Sequence, residues 1–367
     1  MKLAVVTLHR VYNYGSVLQA YATQKVLEKK GHEVQIVDYI TPQRTKKKIF
    51  FQAPANEMKK GIKLFAYRMA KIGSLLLKEK TFGSFIKKNL HLTKEYVTAE
   101  DLEKDPPIAD IYITGSDQVW NSLYNEGIDR GFFLDFLPDE STRLAFVASF
   151  GKTQLDESEV NITKKYIQKY KGLSVREDAA KHILNKLGRE DAIQLIDPTL
   201  QLTGDEWREI ASKRLVKERY LILMLLYNED NHATEYARKI ADEKGLKLVK
   251  ISWELKKPQL VDKLFTHRSP EDFLSLFANA EFVVTNSFHG LAFSINLHRQ
   301  FVVVPRNEFN SRIESLLTLT GLNNRMVKTE KEVEQCMNTI INYIEVEEYL
   351  NQERTKANKF IEEMIQE

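Results

Sequence analysis

The sequence predicts an α/β protein built from two Rossmann-like, doubly wound parallel-sheet domains facing a cleft. Three observations predict it. Short apolar runs alternate with helix-periodic segments along most of the 367 residues, the pattern of buried parallel strands joined by crossover helices. Most runs end in small or polar residues, as strands do when they feed loops at a ligand-binding edge. The length is that of about two domains, and 43% hydrophobic against 29% charged residues is an ordinary globular balance with material for a large core.

The chain opens as a strand (Leu3 to Leu8), the loop HRVYNYG and a helix (Ser16 to Lys30) with Val17, Ala20, Tyr21 and Leu27 on one face. Gly31 stands where a helix C-cap is expected, and a strand follows at Val34 to Tyr39. Further strands are read at DIYITG and LAFVASFG, and a helical connector at Glu157 to Tyr170. A second series then reads as strands at GLSVRE, AIQLID, LILMLLY, LKLVKI, FVVTN and FVVVP. Its helices fall at Glu177 to Leu187, His232 to Lys244, Pro270 to Ala278, Gly290 to Leu297 and Ser311 to Leu317. The expected division is an N-terminal domain over 1–160, a C-terminal domain over 161–343, and a final helix over 344–367.

Several function classes are excluded by composition. The lone Cys336 permits no internal disulfide and no CxxC pair, and the eight histidines show no HxH, HExxH or HxxxH spacing, so no protein-built metal site is expected. A net charge of +3 does not argue for nucleic acid. The longest strongly apolar run, from Leu221, is far short of the roughly 20 residues that span a bilayer, and Met1 leads directly into a strand rather than a signal peptide. A cytoplasmic protein is expected, with peripheral attachment at the inner face of a membrane as the further reading.

That further reading comes from a basic insertion over 44–88, where thirteen Lys or Arg face only Glu57 and Glu79, a balance of +11. Ile62, Phe65, Met69, Ile72 and Leu76 step through it by three and four, as on an amphipathic helix. Either this stripe packs on its own domain with the lysines in water, or the segment is drawn to an anionic membrane surface or lipid phosphate.

Residues 281–305, EFVVTNSFHGLAFSINLHRQFVVVP, read as strand, turn, helix and strand. Ser287, Phe288, His289 and Gly290 would then lie at the binding edge, beside free N–H groups at a helix start that favour an anion such as phosphate. Three more polar clusters stand at strand ends or loops: HRVYNYGS, TGSDQVWN and SVRED.

These clusters, with IDPTL ending at Leu200 and SRIESLL from Ser311, follow one another in an order that resembles the polysaccharide pyruvyltransferase family, from Met1 to about Arg325. The resemblance implies a GT-B-like fold whose final helix, here 344–367, packs back on the first domain, phosphoenolpyruvate as co-substrate with no further cofactor, and a pyruvate ketal built on a sugar of a polysaccharide or lipid-linked glycan. Some family members carry Arg-Leu-His-Gly where this chain has Ser287 to Gly290, which leaves Arg312, Arg268 or Arg306 to supply a cation.

Such chemistry needs cations for two anionic groups, a proton for the methylene carbon and a base for the sugar hydroxyls. His289 is the candidate proton donor or electrostatic partner of the leaving phosphate, Arg176 the candidate carboxylate or phosphate ligand, and Asp117 the candidate base. Ser287, Gly290, Arg312 and Arg268 are candidates for donor binding, and Asn13, Tyr14, Ser116, Gln118 and Trp120 for acceptor binding. Each has a plainer reading: a hydrogen-bonded structural histidine, an arginine paired with Glu177 or Asp178, a capping aspartate, a core tryptophan. Two other functions stay open, a GT-B-type nucleotide-sugar glycosyltransferase and a catalytically inactive glycan-binding relative.

Overall fold

The computed structural model describes residues 1–41, 62–226, 232–253, 257–307 and 310–366, without side chains at 62–68, 70, 71 and 366. The part of the basic insertion before Ile62 therefore lies outside the described residues. Two compact units are formed. The first holds Met1–Arg176, Ala180–Gln194 and the chain end from Glu363; the second holds Glu177–Ala179 and Leu195–Glu362.

In the first unit the strands are β1 (Lys2–Val6), β2 (Glu33–Tyr39), β3 (Leu92–Tyr96), β4 (Ile111–Thr114), β5 (Arg143–Ala148), β6 (Gly172–Val175) and β7 (Ile193–Gln194), in sheet order β3-β2-β1-β4-β5-β6-β7. Every ladder is parallel. The central strands are apolar runs because both faces are covered: β4 and β5 are buried at every position. Helix α1 (Tyr14–Glu28) is almost wholly buried, starts at an Asn13 cap that accepts from the Gly15 N–H, and ends before Gly31 at φ +82°, a conformation that suits glycine. Helix α2 (Ile62–Asn89) follows β2, and its last turns bury Phe82, Phe85 and Ile86.

The second sheet, order β10-β9-β8-β11-β12, comprises β8 (Tyr220–Met224), β9 (Lys247–Ser252), β10 (Lys263–Thr266), β11 (Phe282–Thr285) and β12 (Gln300–Val303), again all parallel. The final helix, α3 in the labels used here, runs Tyr343–Gln366. Its last turn belongs to the first unit, where the Met364 side chain covers Gly172 so closely that a Cβ there would sit 2.5 Å from the sulfur.

Two features differ from the sequence expectation. GLSVRE and AIQLID, read as the opening of the second domain, provide β6 and β7 of the first sheet, because Gly172 and Leu173 pair with Leu144 and Ala145 of β5. The first sheet thus extends past 160 to Gln194. The edge strands β3 and β10 were not legible, since LTKEY and KLFT carry charges that an edge tolerates and an interior strand does not. Among the described residues no helix is long and apolar enough to cross a membrane.

Arg143 opens β5 with no exposed surface, and its guanidinium donates to the carbonyls of Leu134, Leu137, Pro138 and Ser141 at 2.7 to 3.1 Å. It closes the loop before β5 from the inside. Replacing it with Leu strands those acceptors, and each buried acceptor left unmade costs about 1–3 kcal/mol. Arg143→Leu is expected to lower stability by at least about 3 kcal/mol in urea unfolding; a change below about 1 kcal/mol would show that water satisfies the loop instead.

Candidate functional site

In the first unit, parallel pairing brings the ends of β1, β4, β5 and β6 to one edge. Three side chains meet there. Ser16 Oγ donates to Asp117 Oδ2 at 2.5 Å, and Arg176 Nη2 lies 3.7 Å from Asp117 Oδ1. The Gln118 N–H also donates to Oδ1 at 2.9 Å. Asp117 sits at φ +74°, in the left-handed region, and bridges to Ala148, whose carbonyl accepts from the Arg176 N–H. An aspartate tolerates that conformation better than most residues, yet its use inside a sheet edge is a strain held by its surroundings. The three residues are at most 6% exposed, so the carboxylate and guanidinium are a buried pair whose separation is strongly disfavoured.

The turn that carries Asp117 is pinned from below. Gln19 Nε2 donates to Thr7 Oγ1, which in turn donates to the Ser116 carbonyl. Gly115 fits because a Cβ would meet Thr7 and Val5 at 3.0 Å.

The acceptor candidates divide. Asn13, the α1 cap, and Gln118, whose amide oxygen accepts from Asn121, remain partly exposed. Ser116 is fully buried and Tyr14 is buried against Phe82, with ring centroids 5.2 Å apart. Trp120 is a core residue and not a sugar platform. It is 3% exposed, stacks on Phe133, contacts Phe150 and Tyr170, and donates its Nε1–H to the Phe132 carbonyl.

Beside this group lies a network that the sequence reading missed. Asp38, at the end of β2, accepts from His9 Nε2 at 2.9 Å and from Arg10 Nε at 2.7 Å, with a second bond from the other arm of the guanidinium. The second ring nitrogen of His9 faces the Thr7 carbonyl at 3.1 Å. The loop from β1 to α1, which presents Asn13, is thereby tied to β2. A histidine three residues after one strand and an aspartate inside the next were the available signal.

In the second unit, β11 ends in a turn fixed by backbone chemistry. Thr285 Oγ1 donates to the Met224 carbonyl and accepts from the Ser287 N–H; Asn286 Oδ1 accepts from the Leu226 N–H. Helix α4 in these labels (Phe288–Asn296) begins two residues before the expected Gly290, because Ser287 is its N-cap and accepts from the Gly290 N–H. Gly290 packs so tightly that a Cβ would sit 2.4 Å from Thr285 Oγ1. Ser287 and Gly290 therefore shape the helix start.

His289 is the second residue of this helix, 8% exposed, with its ring edge-on to Phe288 and Nε2 4.0 Å from Asp197 Oδ2. Asp197 was not singled out from sequence, although Asp before Pro is a helix-start signal. It caps helix α5 (Pro198–Gln201), accepting from the Thr199 N–H and hydroxyl through Oδ1, while Oδ2 is the atom nearer His289. The same helix that carries His289 also holds Asp197 in place. Seven residues on, Asn296 donates to the carbonyls of Thr199 and Leu202, and Arg354 from α3 donates to Asn296 Oδ1 and the Leu200 carbonyl.

Arg312 follows β12 and places its guanidinium 5.9 Å from the Phe288 ring centre, near the His289 turn. Arg268 is not brought there. It follows β10, three strand spacings or about 14 Å from β11, where it faces Asp272 and the Phe265 ring. Arg176 belongs to the first unit and His289 to the second. Among the described residues, no group of three or more His, Cys, Asp or Glu is arranged to hold a metal ion.

Burial alone would raise the pKa of Asp38, but the hydrogen bonds from His9 and Arg10 outweigh it and hold the carboxyl at about 2, against an ordinary 3.8. A depressed folded-state value means stability that is full above about pH 5 and is lost as pH falls toward 2, roughly 2 kcal/mol in all. Asp38→Asn is expected to be less stable than the native chain near neutral pH, by about that amount, with the gap closing as pH drops to 2.5. Urea titrations across that range check it; a gap independent of pH contradicts the assignment.

No curated protein sequence matches this chain. Among solved structures, the UDP-GlcNAc 2-epimerase of Methanocaldococcus jannaschii in complex with UDP-GlcNAc and UDP aligns over 96% of this chain and 99% of its own, at 17% identity and a TM-score of 0.51. A UDP-N-acetylglucosamine 2-epimerase, described as putative, from Listeria monocytogenes aligns over 98% and 92%, at 14% identity and a TM-score of 0.50. At such identities the likeness shows the fold alone, a GT-B-like pair of parallel-sheet domains. The family model for polysaccharide pyruvyl transferase matches residues 13–308, a span that includes both the Asp117–Arg176 and the Asp197–His289 groups. This chain belongs to the polysaccharide pyruvyl transferase family.

Proposed function

We propose that this protein transfers a pyruvyl group from phosphoenolpyruvate to two hydroxyls of one sugar in a polysaccharide or lipid-linked glycan, releasing phosphate. The observation that carries the proposal is His289 beside Asp197 at the start of a nine-residue helix, in a chain that the family model spans from 13 to 308.

The chemistry sets the roles. A proton added to the methylene carbon makes it a methyl group and leaves the neighbouring carbon electron-poor. One sugar hydroxyl attacks that carbon, the C–O bond to phosphate breaks, and the second hydroxyl closes the ketal. Of the two hydroxyl protons, one balances the proton taken up by the methyl group and the other leaves with phosphate. His289 is the proposed proton donor, with Asp197 supplying the negative charge that orients a protonated ring. The first-turn N–H groups and Arg312 supply positive charge suited to phosphate. In the first unit Asp117 is the proposed acceptor of a hydroxyl proton, steadied by Arg176 and Ser16, with Asn13 and Gln118 as accessible hydrogen-bonding groups.

The test is turnover. With phosphoenolpyruvate and galactosides, glucosides or N-acetylhexosaminides, the native chain is expected to release phosphate while the glycan gains one pyruvate less one water. His289→Ala is expected to lower kcat by roughly 10²- to 10⁴-fold while the folded chain melts within a few degrees of the native one. Asp117→Asn, which keeps the shape but not the base, is expected to lower kcat by a similar factor and, because the buried Arg176 loses that carboxylate's charge, to lower the melting temperature as well. Phosphate release unaffected by either change would remove these residues from the mechanism, and no pyruvylated product with any acceptor would count against the function.

A further inference from the structure

We propose that the exposed face of α2 docks this protein on an anionic lipid surface. The inference is independent of the transfer chemistry. It rests on two faces of one helix that behave in opposite ways.

The face near the helix end is internal. Phe82 lies against the rings of Tyr12 and Tyr14, Phe85 against Tyr21, and Phe82, Phe85 and Ile86 are at most 1% exposed. These contacts fix α2 to α1. At 100° per residue the opposite face is formed by Met69, Gly73, Leu76, Leu77 and Lys80, within an arc of about 100°, and it continues through Ser84 and Lys87. All of these are exposed. Met69 is 49%, Leu76 52% and Leu77 43% exposed. Of the two readings of this stripe, packing on its own domain does not hold for Met69 and Leu76.

The exposed face has a polarity along its length. Large apolar side chains occupy its first half, and Lys80, Lys87 and Lys88 its second, over about 27 Å. Across 62–89 seven Lys or Arg stand against the single Glu79. Apolar side chains in water beside a strong positive charge match a surface that offers both a hydrocarbon layer and negative headgroups. A second copy of this helix would set like charges against each other, and a nucleic acid would leave Met69, Leu76 and Leu77 without a use.

The experiment uses the full chain and vesicles, with neither phosphoenolpyruvate nor glycan present, so its outcome is separate from that of the turnover assay. Co-sedimentation is compared on vesicles of phosphatidylcholine with about a third phosphatidylglycerol and on phosphatidylcholine alone, at about 0.1 M salt, where charges act over about 10 Å, and at about 0.5 M. The native chain is expected to bind the anionic vesicles at least tenfold more tightly than the neutral ones and to lose most of that binding in high salt. Met69→Ser with Leu76→Ser, and separately Lys80→Glu with Lys87→Glu, are each expected to weaken binding at least tenfold without lowering the melting temperature. Leu123→Ser, which removes an apolar side chain 67% exposed elsewhere on the first unit, is expected to bind as the native chain does. A native chain that stays in the supernatant, or paired variants that bind unchanged, overturns the proposal. A native dimer in light scattering that Met69→Ser with Leu76→Ser makes monomeric also overturns it, and assigns the face to a second copy.

Discussion

Parallel strand pairing is the constraint on which the rest of this structure depends. A chain that pairs all its strands in parallel must cross over after each one, so every strand delivers its carboxyl end to the same edge of its sheet. In the first unit that brings Ser16, Asp117 and Arg176 within reach of one another across 160 positions of sequence. In the second it sets the β11 turn with His289 beside the β12 neighbour that leads to Arg312. Polar residues converge at these edges because the strand interiors have no room for them.

Convergence of this kind places polar and charged groups in the interior, and the fold answers with specific fasteners. Asn286 sews the end of β8 to the β11 turn; Asn296 and Arg354 tie the segment bearing Asp197 to the helix bearing His289; Asp38 holds the β1 loop through His9 and Arg10. The first two satisfy carbonyls or amides that would otherwise be buried without partners, and Asp38 pairs with side chains of the loop instead. The candidate groups are therefore supported from outside the pair: Asp197 is held at its carboxylate by the Thr199 N–H and hydroxyl, bonds that do not involve His289. Asp117 is the one candidate that also carries backbone strain, in a left-handed conformation next to its charge partner, as residues at functional sites often do.

Legibility followed physical pattern. Strands buried on both faces, such as β5, β8 and β11, are uninterrupted apolar runs and were readable as such, as were the helices between them. The charged edge strands β3 and β10 have no such signature. The division between units was misplaced because GLSVRE looks the same whether it opens a new sheet or extends an old one; pairing with Leu144 and Ala145 decides, and pairing is not written in local sequence. Asp117 and Arg176 were found as strand-end polar residues, but not that they are partners. Ser287 is a helix cap and Trp120 a core aromatic, the plainer readings that residue type already offers at those places. Asp197 and Asn296 escaped because their significance lies in contacts between segments about a hundred residues apart.

The central claim is that the chain recognises a small molecule with both phosphate and carboxylate, on a fold it shares with enzymes of nucleotide sugars. Thermal melting with phosphoenolpyruvate and, separately, with UDP tests it most directly, since a ligand that binds only the folded state raises the melting temperature in proportion to its affinity. The account predicts a rise with phosphoenolpyruvate and none with UDP. A rise with UDP and none with phosphoenolpyruvate would contradict it.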